Sequence, residues 1–98
     1  MVRHSLTGPP DPGAPDRLTF IYRADVVEHL WRHGVHPTPS TPPERVREFV
    51  RELYKYEIRQ LRGRMLRNEF PRAQYATRVE DLRRRYAVLS LVPRQFLA

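Results

Sequence analysis

With 98 residues the chain has room for one domain around one small core, and its 40% hydrophobic and 30% charged content is that of a folded protein. It has no cysteine, which excludes disulfides and thiolate metal sites, and no apolar run approaches the roughly 20 residues a membrane helix needs. The net charge of +7, with Lys55 the only lysine among eighteen basic residues, favours acidic partners.

The first seventeen residues, "MVRHSLTGPPDPGAPDR", hold four prolines and two glycines with no periodic apolar pattern. They read as a flexible tail, with a single helical domain over 18–98. The Leu6 region is too short and proline-rich for a signal peptide, so a cytoplasmic setting is expected.

Next, "LTFIY" is β-prone, and Phe20, Ala24, Val27 and Leu30/Trp31 then recur at helical steps. A short helix over about 23–33 is predicted, with Gly34 placed for a left-handed C-cap. Four prolines between Pro37 and Pro43 make an extended connector. Thr41, Pro42 and Glu44 then fit a Thr-x-x-Glu capping box that opens a long helix over Pro42–Arg67. Val46, Val50, Tyr54, Ile58, Leu61 and Met65 form one apolar row, and Phe49, Leu53 and Tyr56 a second. An arc that wide predicts a helix packed on two sides.

The stretch "MLRNEFPRAQY" interrupts the pattern. Asn68 tolerates a left-handed cap, Phe70 can fold back, and Pro71 suits a first turn, so the stretch reads as the bend of a hairpin. A further helix over about 71–86 follows, with Tyr75, Val79, Leu82 and Tyr86 on one face. The ending "YAVLSLVPRQFLA" is apolar without a period, and Pro93 prevents a continuous helix. It is expected to lie extended along the hairpin and close the core, or to pair with "LTFIY". The fold class is therefore all-α.

Two constellations bear on chemistry. His29, His33 and His36 give H-x-x-x-H-x-x-H, a spacing that could share a metal. A zinc-protease helix needs glutamate directly after its first histidine, and Leu30 stands there, so no metal is assigned. The second is basic. Arg47, Arg51, Lys55 and Arg59 advance by four, but Glu44, Glu48 and Glu52 precede the first three by three residues and predict ion pairs. From Arg59 to Arg85 nine arginines face only Glu69, Glu80 and Asp81, a local balance of +6. Arg59, Arg62, Arg64, Arg67, Arg72, Arg78, Arg83, Arg84 and Arg85 are thus the candidate surface for an acidic partner or, alternatively, for phosphates.

Residues 58–86, "IRQLRGRMLRNEFPRAQYATRVEDLRRRY", resemble the short helical hairpins called SHOCT modules, with Leu61, Met65, Phe70, Tyr75, Val79 and Leu82 in the patterned places. The wider segment is similar to short bacterial proteins with an "LYxYEIRxLR" core, here "LYKYEIRQLR". The SHOCT resemblance implies a docking or oligomerisation hairpin and brings no catalytic residues. Gly-rich phosphate loops and nucleophile elbows do not occur in the sequence. The expectation is a non-enzymatic interaction module without cofactor or small-molecule substrate. It would bind an acidic protein or a second copy of itself, with sequence-tolerant RNA or DNA binding as the alternative.

Overall fold

The computed structural model describes residues 19–98, so the predicted tail over 1–17 lies outside the described residues. The architecture is all-α. Helix α1 (Ala24–Arg32) precedes a helical hairpin of α2 (Pro43–Leu66) and α3 (Tyr75–Arg85). Three 3-10 turns complete it: Arg72–Gln74 leads into α3, and Ala87–Ser90 and Pro93–Phe96 follow it.

Helix α1 ends as its sequence dictates. Gly34 takes a φ of 75°, its N–H donates to Trp31 O at 3.0 Å, and the N–H of Val35 donates to Leu30 O at 3.0 Å. This is the paired 5→2 and 6→1 closure of a Schellman motif, and Leu30 and Val35, its apolar pair, are both fully buried. The buried stripe runs through Val26 and Leu30, however, not through Ala24 and Trp31, which are exposed. The helix is thus rotated from the expected setting, because Val26, Leu30 and Val35 together bury more branched aliphatic surface than the Ala24–Val27–Trp31 line.

Helix α2 begins one residue later than the capping-box reading placed it. Pro42, extended at φ −64° and ψ 137°, holds the N-cap position, and Pro43 is the first helical residue. Thr41 therefore sits one position too early to be the cap. It is buried instead, and its hydroxyl oxygen accepts from the Thr38 N–H at 3.1 Å in the turn before the helix. A residue before proline is held out of the α region, which fixes this register.

The first apolar row of α2 is the core row: Val46, Val50 and Leu61 are buried, with Tyr54, Ile58 and Met65 half-buried. The second row is only partly so. Leu53 packs against the core, while Phe49 and Tyr56 are exposed, so α2 is packed on one side rather than two. A chain of this size lacks the elements to cover both sides of a 24-residue helix.

The bend forms as expected. Asn68 is left-handed at φ 60°, and Phe70 folds back and is buried. Pro71 stands before the 3-10 turn rather than in an α-helix, and α3 proper starts at Tyr75. The C-terminal segment closes the core, but in two 3-10 turns rather than an extended run. Pro93 opens the second turn, where its fixed φ and missing N–H cost nothing. Phe96 is fully buried by it, a burial worth about 1.5–3 kcal/mol. An isolated antiparallel bridge joins Tyr22 and Leu97, so "LTFIY" and the C-terminus do meet, over one residue pair. No helix of the described residues is long and apolar enough to cross a membrane.

Candidate interaction surface

The nine arginines singled out above do not form one face. Helical geometry and the hairpin distribute them over three places.

Four belong to the bend. Arg64 and Arg67 share Glu69, at 3.2 and 2.9 Å, and their hydrogen bonds, Arg67's foremost, hold the Glu69 carboxyl below its ordinary range. Arg78 lies over the Phe70 ring at 4.2 Å and donates to Gln74 Oε1 at 3.0 Å. Arg72 is exposed at the start of the lead-in turn, with no acidic partner among the described residues. The guanidinium of Arg67 also lies over Gly63, 3.1 Å from where a Cβ would stand.

Three occupy the last turn of α3, where cations suit the helix dipole. Arg83 pairs with Glu80 and Arg84 with Asp81, both at 2.6 Å, and Arg85 reaches Glu57 at 3.9 Å. Such exposed pairs contribute about 0–1 kcal/mol each, but they lower the charge the run presents.

The remaining two, Arg59 and Arg62, project from the outer side of α2, away from the hairpin core. Both are exposed and neither has an ion pair among the described residues. Around them are the side chains that the sequence reading had assigned to the core or left unplaced: Phe49 is 40% exposed, Tyr56 53% and Leu66 53%. These are the functional candidates that sequence reasoning missed. Their signal was the excess width of the apolar arc, wider than a small fold can cover. Two of the three predicted glutamate–cation pairs flank this face, Glu48–Arg51 at 3.6 Å and Glu52–Lys55 at 3.3 Å. The third, Glu44–Arg47, is replaced: Arg47 donates to the carbonyl oxygens of Leu91 and Leu89 at 2.8 and 2.7 Å.

The histidines separate as well. His29 and His33 are neighbours, with ring centroids 5.2 Å apart, but His36 packs against Trp31. His33 stacks on Tyr86 at 4.2 Å, and its Nε2–H donates to the Arg85 carbonyl at 2.7 Å. Among the described residues no group of three histidine, aspartate or glutamate side chains is placed to hold a metal ion. His29 and His33 border a cleft of about 460 Å³ with Arg32, Glu57, Arg84 and Arg85. Burial first, and then the charge of His33, lower the His29 pKa.

The chain matches no family model, no curated protein and no solved structure. The six residues that carry the SHOCT resemblance lie buried or half-buried inside the hairpin, as any two-helix hairpin requires.

Proposed function

We propose that the protein is a non-enzymatic, cytoplasmic interaction module whose outer α2 face docks a carboxylate-rich protein surface. One observation carries this reading: unpaired Arg59 and Arg62 stand on the same helix face as exposed Tyr56 and Leu66. Aromatic side chains and arginine are the groups that protein interfaces concentrate, because each combines a large contact area with directional hydrogen bonds. The likeness of residues 58–86 to SHOCT hairpins favours the same class of function.

The distribution of the other arginines favours a protein over a nucleic acid. Tracking a phosphate backbone needs a run of cations free to displace counterions. Arg64, Arg67, Arg83, Arg84 and Arg85 already face carboxylates.

The test compares a labelled glutamate-rich helical peptide with labelled single-stranded RNA of matched charge, at about 50 and 200 mM salt. The peptide should bind more tightly, and Arg59→Glu with Arg62→Glu should weaken it at least tenfold. Tighter RNA binding that survives the double change would replace this reading with phosphate recognition by the α3 arginines.

A further inference from the structure

Resting on that reading, we infer that the carboxylate-bearing partner is a second copy of this chain, laid antiparallel along the outer face of α2. Phe49, Glu52, Tyr56, Arg59, Gly63 and Leu66 follow one another at steps of three and four, the spacing of a coiled-coil seam. All are exposed except half-buried Gly63, which lies beneath Arg67. The seam spans roughly 26 Å of helix and carries three large apolar side chains that nothing among the described residues covers.

Charge decides the direction. Along this face the glutamates, Glu48 and Glu52, stand in the first half beside Arg45, Arg51 and Lys55, while the second half carries only cations, Arg59, Arg62 and Arg67. A parallel pair would set Arg59 beside Arg59 and Glu52 beside Glu52. An antiparallel pair with its twofold axis between Tyr56 and Arg59 inverts each of these clashes. It brings Phe49 level with Leu66 of the second copy, an apolar contact at either end. Tyr56 comes level with Arg59 of the second copy, a ring against a guanidinium, made twice at the centre. Glu52 comes level with Gly63 of the second copy, over which that copy's Arg67 lies, and Glu48 shares a flank with its Arg62. Gly63 has no side chain of its own, and the Arg67 guanidinium that lies over it is the group Glu52 meets. Lys55 falls near the axis on that flank, where Glu52 of its own helix, at 3.3 Å, offsets its charge. Arg59 thus meets an aromatic ring, Glu52 meets a second cation beside its own Lys55, and twofold symmetry makes each contact twice.

Sedimentation velocity on the full chain, from micromolar to submillimolar, tests this together with engineered cysteines. The native chain has none, so introduced thiols report cleanly. The wild type should pass from monomer to dimer with concentration. Mixed Phe49→Cys and Leu66→Cys chains should cross-link under mild oxidation, while Phe49→Cys alone should not. Arg59→Glu and, separately, Phe49→Ala should each weaken the dimer at least tenfold, with circular dichroism unchanged. A monomer at all concentrations, Phe49→Cys linking to itself, or a dimer indifferent to both substitutions overturns the inference. A monomeric wild type that still binds the acidic peptide through Arg59 and Arg62 defeats this inference alone and leaves the docking reading standing. Indifference of both assays to those arginines defeats the docking reading as well.

Discussion

Arg47 is bound to Leu91, forty-four positions later in the chain, by a hydrogen bond of 2.8 Å from its Nε–H to the backbone carbonyl. A second bond from Nη2 holds the Leu89 carbonyl at 2.7 Å. One half-buried guanidinium therefore fixes the segment between the two C-terminal turns, where the carbonyls would otherwise lack partners. Arg47→Ala should destabilise the fold by about 2 kcal/mol, the worth of hydrogen bonds from a charged donor whose acceptors are left exposed to loss. Arg47→Lys should recover little of it, since an ammonium lacks the planar fork that spans two carbonyls. Urea unfolding measures both.

Alkali should destabilise the protein through two tyrosines. Burial raises the Tyr22 phenol above its ordinary value of about 10, with the charge of Glu44 adding to it. Burial likewise raises Tyr86, reinforced by the hydrogen bond its hydroxyl donates to Glu57. The unfolded chain therefore ionises first, so stability is intact below about pH 10 and falls as pH rises beyond it. Melting temperatures across that range should fall, and the fall should be shallower in Tyr22→Phe and Tyr86→Phe, each less stable than the wild type at neutral pH.

The acid limb has a different origin and an earlier onset. His29 is held below its ordinary value of 6.5 by burial and by His33, so the unfolded chain takes up its proton first. Its contribution is intact above about pH 6.5 and is lost as pH falls through the lowered folded value. Arg32, Arg84 and Arg85 border the same cleft, and Glu57 is the carboxylate there. Further loss should begin as pH falls into the ordinary carboxylate range, where the unfolded chain protonates first, and continue below it as Asp25, Glu52 and Glu69 give up their hydrogen bonds to Arg23, Lys55 and Arg67. His29→Leu should flatten the curve of melting temperature between about pH 7 and 5 and leave the lower limb in place. An unchanged slope there would show that His29 does not govern it.

Two left-handed residues should respond differently to substitution. Gly34, at φ 75°, has open space where a Cβ would stand, so Gly34→Ala costs only backbone strain, about 1–2 kcal/mol. Asn68 already bears such strain at φ 60°, and Asn68→Gly should leave stability unchanged within a few tenths of a kcal/mol, whereas Asn68→Val should lower it. Thermal or urea unfolding of the three variants separates the two sites.

The parts of the fold that local chemistry specifies were legible in the sequence. Gly34, Asn68 and Pro71 mark chain reversals by backbone preference alone, and the row from Val46 to Met65 identifies the core side of α2 by period. What depended on distant partners was not legible. Thr41 fitted a capping box, yet Pro43 holds Pro42 extended and so decides the register. Phe49 and Tyr56 fitted a core row, yet no element arrives to cover them. The arginines looked like one surface because sequence counts charges without directions. Glu69, Glu80, Asp81 and Glu57 bind arginines from two helices and a bend, which leaves Arg59 and Arg62 without an ion pair among the described residues, as Arg45 at the start of α2 is too.

The seat of Phe96 has a consequence for the life of the nascent chain. Its ring is fully buried, its carbonyl accepts from the Arg23 N–H at 2.9 Å, and the Ala98 N–H donates to Ile21 O at 2.8 Å. The beginning and the end of the described domain are thus sewn to each other. A chain synthesised as far as Arg94 already holds every residue of the three helices, yet its core stands open on the side that the last turn covers. Helices form locally and early, but closing this contact spans more than seventy residues and must wait until Phe96 has been made. Until then the valines of α2 are displayed to whatever chaperone or sister chain is near, and a chain broken off before Phe96 is a hairpin with its sticky side uncovered.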